Sequence, residues 1–148
     1  MARSVRLHSC TSELRQAKVL EARDFANSVA WNNGNGTFTR RPLAVEAQFA
    51  PVYASLAEDF DRDGHVDLLL GGNFYGVPPV LGRYDASYGT LLRGAGGRSF
   101  QNVDPEASGL VLEGQVRHIR ALRQAGGKQL IVVARNNAQV QVIRPTRW

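Results

Sequence analysis

The feature that most constrains the fold of this sequence is a repeat with a period of 62 residues. Residues 29–38 (VAWNNGNGTF) read as a strand, a turn rich in glycine and asparagine, and a second strand that opens on phenylalanine. Residues 91–100 (LLRGAGGRSF) repeat this plan 62 positions later. The same offset relates Asp67 to Gln129, each of which precedes a short apolar run. A period of this length indicates an array of small, similar units.

Nine short segments have the composition of β-strands, with leucine or β-branched residues bounded by the glycines and asparagines of tight turns. The predicted strands cover residues 27–32, 37–41, 52–57, 66–71, 88–93, 99–103, 116–122, 130–134 and 140–143. The one predicted helix is short and covers residues 12–23. The sequence therefore predicts an all-β fold with one short N-terminal helix.

Four short strands per unit is the arrangement of a β-propeller blade. We expect an N-terminal segment, residues 1–24, and a repeat region, residues 25–148, with a complete middle blade at residues 52–103. The chain before this blade supplies two strands of one blade, and the chain after it supplies three strands of another. Because 148 residues hold only about 2.4 units and a closed ring needs roughly four to eight blades, we expect a partial propeller. It is either a C-terminal fragment of a longer propeller or an open stack whose exposed strand edges pair with another chain.

The composition excludes several classes of protein. With 43% hydrophobic residues the chain is not disordered, and its longest apolar runs fall far short of the roughly 18 residues of a membrane helix. We therefore expect no membrane insertion. Cys10 is the only cysteine, which rules out an internal disulfide framework and a cysteine-built zinc site. The 18 basic residues are scattered without interleaved aromatic residues, so we expect no nucleic-acid binding, although a nucleic-acid binder stays a third alternative.

The strongest local motif is the acidic segment 59–67 (DFDRDGHVD). Its carboxylates stand at positions one, three, five and nine, and a glycine at position six allows the chain to reverse. Clustered carboxylates repel one another unless a cation neutralises them, and Ca²⁺ accepts six to eight oxygen ligands. The spacing therefore predicts a calcium-binding loop. Its predicted ligands are the side chains of Asp59, Asp61, Asp63 and Asp67 and the backbone carbonyl of His65.

Three other interpretations of this segment stay open. An EF-hand loop needs a bidentate acid at position twelve, which is Leu70 here. A magnesium-dependent phosphoryl-transfer enzyme would use Asp59 as nucleophile and Asp61 as general acid, but no partner lysine or further acidic pair is evident. The third interpretation is an acidic surface turn without metal. We prefer a calcium loop that joins two strands and acts as a structural staple, and we predict no catalytic residue.

Residues 59–76 and the turn at 33–38 resemble the VCBS and FG-GAP repeats of integrin-α-like β-propellers. The resemblance spans residues 25–144 and is most specific at the aspartate loop. It implies that this loop binds calcium through the same five residues. It also implies a binding, adhesion or scaffolding role rather than catalysis, with a protein or carbohydrate ligand. The implied location is extracellular, at the cell surface or periplasmic, although no signal peptide is recognisable in this sequence.

Overall fold

The computed structural model describes residues 18, 20–126 and 129–145, and within them the chain forms nine β-strands. They are β1 (Ser28–Asn32), β2 (Phe38–Pro42), β3 (Val52–Glu58), β4 (Asp67–Gly72), β5 (Thr90–Gly94), β6 (Phe100–Val103), β7 (Gln115–Arg123), β8 (Gln129–Asn136) and β9 (Gln141–Ile143). Each matches a predicted strand, and the ends differ by at most two residues. The predicted all-β fold is confirmed.

Helical structure in the described residues consists of short turns. Two are 3₁₀ turns, Val45–Gln48 and Pro79–Leu81, and one is an α-helical turn, α1 (Pro105–Ser108), which ends at Gly109. The helix predicted over residues 12–23 lies mostly outside the described residues, and residues 20–23 have no regular secondary structure. None of the described helices is long and apolar enough to cross a membrane.

The strands form three antiparallel sheets in chain order: the hairpin β1-β2, the four-stranded sheet β3-β4-β5-β6 and the three-stranded sheet β7-β8-β9. Corresponding strands begin 62 residues apart, as the repeat predicts, in the pairs β1 and β5, β2 and β6, and β4 and β8. The hairpin therefore corresponds to the last two strands of the middle sheet. Within the described residues the sheets do not close into a ring, so the architecture is a partial array of propeller-like blades. The domain boundary at residue 24 stays a prediction.

The middle sheet is buried on both faces, which explains its unbroken leucine runs. Successive side chains of a strand point to opposite faces, so Leu69 and Leu91 enter one apolar cluster while Leu70 and Leu92 enter another. The first cluster lies between the middle and the three-stranded sheets. Its buried members are Ala54, Leu69, Leu91, Leu112, Val116, Ile119, Ile131 and Val133. The second cluster joins the middle sheet to Ala47 in the first 3₁₀ turn.

The hairpin β1-β2 is attached to the middle sheet by polar and aromatic contacts. Arg98, in the turn between β5 and β6, donates to Oδ1 of Asn33 at 2.7 Å and to the carbonyl of Asn32 at 3.0 Å. The ring of Trp31 stacks on Phe100, with 5.5 Å between the ring centroids. These contacts hold adjacent units together at the corresponding turns of the repeat.

Two glycines at the end of β4 allow other strands to approach closely. A Cβ on Gly72 would lie 1.8 Å from the carbonyl oxygen of Pro51, and one on Gly71 would lie 2.7 Å from Cγ1 of Val116. The need for glycine here is steric, because no side chain would fit between the backbone of β4 and its neighbours.

Replacing Ile119 by alanine tests the contact between the middle and three-stranded sheets. Ile119 is 0% exposed, so the Ile119→Ala substitution should lower the free energy of unfolding by about 2 to 5 kcal/mol through lost burial and a residual cavity. Leu122 lies on the same strand but is 52% exposed, and Leu122→Ala should cost less than about 1 kcal/mol. Urea unfolding measures both values. Equal costs would contradict the assignment of Ile119 to the shared core.

Candidate metal centre

The acidic segment 59–67 connects β3 to β4, and the two strands meet where Glu58 pairs with Asp67. The chain reverses through two left-handed residues, Arg62 at φ +64° and Gly64 at φ +88°. Glycine adopts this conformation freely, as expected for position six of the motif, whereas arginine adopts it rarely. Because the flanking elements are strands and not helices, the EF-hand interpretation is wrong.

Three of the predicted ligands converge in this loop. Asp59, Asp61 and Asp67 each offer a carboxylate oxygen, and these oxygens all lie within 4.8 Å of one another. Two oxygens bound to one calcium ion, each at about 2.4 Å, lie at most about 4.8 Å apart. The three carboxylates are therefore close enough to share a single metal ion, and their oxygen-only donor set suits a hard cation.

Asp67 anchors the loop to the middle sheet. Its side chain is fully buried, Oδ1 accepts the backbone N–H of Gly94 at 2.8 Å, and Oδ2 accepts the backbone N–H of Phe60 at 2.9 Å. A Cβ on Gly94 would lie 2.4 Å from the carbonyl oxygen of Val66, so only glycine allows β5 to come this close. Each oxygen of a carboxylate has a second lone pair, which is available to a cation.

Backbone N–H groups hold the other carboxylates of the loop. The N–H of Asp63 lies 3.1 Å from Oδ1 of Asp59 and 3.1 Å from Oδ1 of Asp61. The N–H of Gly64 donates to Oδ2 of Asp59 at 3.0 Å. Such contacts between an aspartate and the backbone a few residues later are typical of tight turns. The carboxylates thus shape the loop through hydrogen bonds with its own backbone.

Arg93 on β5 is a part of the site that sequence reasoning missed. Its Nε lies 2.7 Å from Oδ2 of Asp61, and its Nη2 donates to Oδ2 of Asp63 at 3.0 Å. No local motif marks this residue, which is far from the loop in sequence. Arg93 is identified by the strand register: Leu68 pairs with Leu92, so the next residue of β5, Arg93, lies beside the start of β4.

Asp63 and Arg93 form an exposed ion pair, and hydrogen bonds to their charged forms shift the pKa of both side chains. The backbone N–H of His65, at 2.8 Å from Oδ1, is the main cause that lowers the pKa of Asp63, and Arg93 lowers it further. The bond to Asp63 is the main cause that raises the pKa of Arg93. Both residues are therefore charged at neutral pH.

Asp63 does not belong to the converging group of carboxylates. Its side chain accepts hydrogen bonds from Arg93 and from the backbone N–H of His65. Its role as a fifth-position ligand, and that of the His65 carbonyl, stay predictions. The interpretation as a phosphoryl-transfer enzyme gains no support from Asp59, since both oxygens of this proposed nucleophile accept backbone hydrogen bonds.

Comparison with protein families relates the first part of the chain to a known repeat. The family model described as an FG-GAP-like repeat matches residues 19–70, which include β1 to β3, the acidic loop and most of β4. Residues 19–70 are therefore similar to an FG-GAP-like repeat, and the resemblance inferred from the sequence is confirmed over this part of the chain. The match covers about a third of the chain. Comparisons with curated proteins and with solved structures found no match.

Replacing Asp67 by asparagine tests its structural role in the absence of metal. Asparagine would lose one acceptor and place an NH₂ group against a buried N–H, so Asp67→Asn should cost about 1 to 3 kcal/mol of stability in EDTA. Asp85 is exposed and lies outside the loop, so Asp85→Asn should change stability by less than about 0.5 kcal/mol. Thermal or urea unfolding compares the two. Similar stabilities would show that Asp67 does not anchor the hairpin.

Proposed function

We propose that this chain is a calcium-binding repeat module of the β-propeller type, in which one Ca²⁺ at the loop 59–67 stabilises the hairpin of β3 and β4. The observation that carries the proposal is the convergence of Asp59, Asp61 and Asp67 within an FG-GAP-like repeat. Asp63 and the carbonyl of His65 are proposed as the remaining protein ligands.

The donor set favours calcium over magnesium. Magnesium keeps several of its waters and is usually bound through one or two carboxylates, whereas calcium accepts many oxygen ligands in a flexible geometry. Three converging carboxylates, with a fourth on the same loop, suit the larger ion better. When bound, the ion would supply positive charge between these carboxylates and remove their mutual repulsion.

The position of the loop supports a structural role for the ion. Asp59 follows β3, Asp67 opens β4, and the hydrogen bond from Gly94 joins Asp67 to β5. An ion shared by these carboxylates would therefore tie together three strands of the middle sheet. Such an ion would have a structural role, which requires no substrate.

We further propose that the module serves binding, adhesion or scaffolding, with a protein or carbohydrate as ligand. Within the described residues β9 pairs only with β8, so its outer edge is open to a strand from further blades or from another chain. An extracellular, cell-surface or periplasmic location agrees with this role, because calcium modules outside the cell bind with a Kd of about 10⁻⁴ to 10⁻³ M.

Calcium titration of thermal stability tests the proposal. At a free concentration ten times the Kd, calcium should add about 1.4 kcal/mol of stability and raise Tm by about 3 to 6 °C. Asp59→Asn removes a charged ligand from the converging group and should abolish most of this shift. Asp85→Asn is the matched control and should retain it.

Two further measurements, a magnesium titration and a phosphatase assay, identify the ion and the class of function. Magnesium at the same free concentration should give a smaller shift than calcium. A Tm that does not respond to calcium in the unaltered chain would remove the proposed site. Phosphatase turnover that depends on Asp59 would favour the enzyme interpretation instead.

A further inference from the structure

Arg93 is the one basic side chain of the described residues that forms an ion pair with the acidic loop. The side chain of Asp61 is only 8% exposed beneath it, whereas the side chain of Arg93 is 47% exposed. Arg93 therefore reaches across from β5 and lies over a carboxylate that is nearly buried. Arg62 lies within the loop but has no hydrogen bond to its carboxylates among the described contacts.

The four aspartates of the loop already have protein partners for all of their carboxylate oxygens. Backbone N–H groups contact six of the eight oxygens, and Arg93 contacts the other two. The two that Arg93 contacts are Oδ2 of Asp61 and Oδ2 of Asp63. Arg93 thus supplies the only full positive charge in these eight contacts.

We propose that Arg93 is the resident counter-cation of the loop: it holds Asp61 and Asp63 when no ion is bound, and it lowers the affinity of the loop for calcium. This inference rests on the proposed calcium binding. In this role Arg93 stabilises the loop without metal and restricts calcium occupancy of the loop to higher calcium concentrations.

Two physical effects produce the lower affinity. The guanidinium repels a divalent ion, and for charges a few ångströms apart in water this repulsion weakens binding about tenfold, or about threefold once salt screens it. Arg93 also holds Asp63, the predicted fifth-position ligand, apart from the converging carboxylates. Removing the guanidinium eliminates the repulsion and frees Oδ2 of Asp63, while Oδ1 keeps its hydrogen bond from the N–H of His65.

The test is calorimetric titration of the full chain with CaCl₂. Arg93→Gln should bind calcium about three to ten times more tightly than the unaltered chain, and in EDTA it should unfold at a lower temperature. Arg62→Gln removes an equal charge from the loop itself without breaking an ion pair with its carboxylates, so its affinity should change less than twofold. Arg93→Lys keeps the charge but cannot hold both carboxylates equally well, and its affinity should be intermediate.

A double-mutant cycle tests the part played by Asp63. Asp63→Asn alone should weaken calcium binding less than threefold, because Arg93 competes with the ion for this ligand. In the Arg93→Gln background the same change should weaken binding about tenfold, since the released carboxylate then contributes as a ligand. If Asp63→Asn weakened calcium binding by the same factor with and without Arg93→Gln, the proposed coupling between Arg93 and Asp63 would be wrong.

The outcomes separate this inference from the proposed function. If the unaltered chain binds calcium and Arg93→Gln binds it equally or more weakly, Arg93 is not a competing cation and the inference is wrong, while calcium binding stands. If neither protein binds calcium, the proposed function is wrong and the inference falls with it. Should Arg93→Gln not fold, Arg93→Lys decides: an affinity no higher than that of the unaltered chain overturns the inference.

Discussion

The interaction on which the site depends is the pair of hydrogen bonds to the buried carboxylate of Asp67. One oxygen accepts the N–H of Phe60 in the loop, and the other accepts the N–H of Gly94 at the end of β5. A buried carboxylate is costly unless such donors satisfy it, so this contact fixes the loop relative to two strands at once. Backbone N–H groups of the loop and Arg93 then hold the other carboxylates.

The anchor in turn needs a middle sheet that is covered on both faces. Leu69 and Leu92 are almost completely buried on opposite faces of this sheet, and each faces a different neighbouring unit. A single unit would leave both of these faces in water, which is why repeats of this kind are stable only as arrays. The inter-unit contacts therefore support the sheet that positions the candidate metal centre.

The sequence allowed all nine strands to be predicted, because glycine and asparagine turns and short apolar runs are local signals. The aspartate spacing similarly predicted the convergence of Asp59, Asp61 and Asp67. It could not predict that Asp63 is engaged by Arg93, since that contact depends on the register between β4 and β5 and on no local pattern. The steric need for glycine at position 72 also arises only from tertiary packing.

The third unit shows that the repeat forms its central hairpin where the position of Asp67 is not acidic. Gln129 opens β8 where Asp67 opens β4, so the corresponding position is neutral, yet β7 and β8 pair along nearly their whole length. The repeat can therefore form its central hairpin without an acidic loop. Calcium at the middle unit would contribute about 1.4 kcal/mol, against the 5 to 15 kcal/mol typical of a folded domain. Binding on this scale would adjust the stability of one blade, and the ion pairs that Arg93 forms with Asp61 and Asp63 already offset part of the negative charge of the loop.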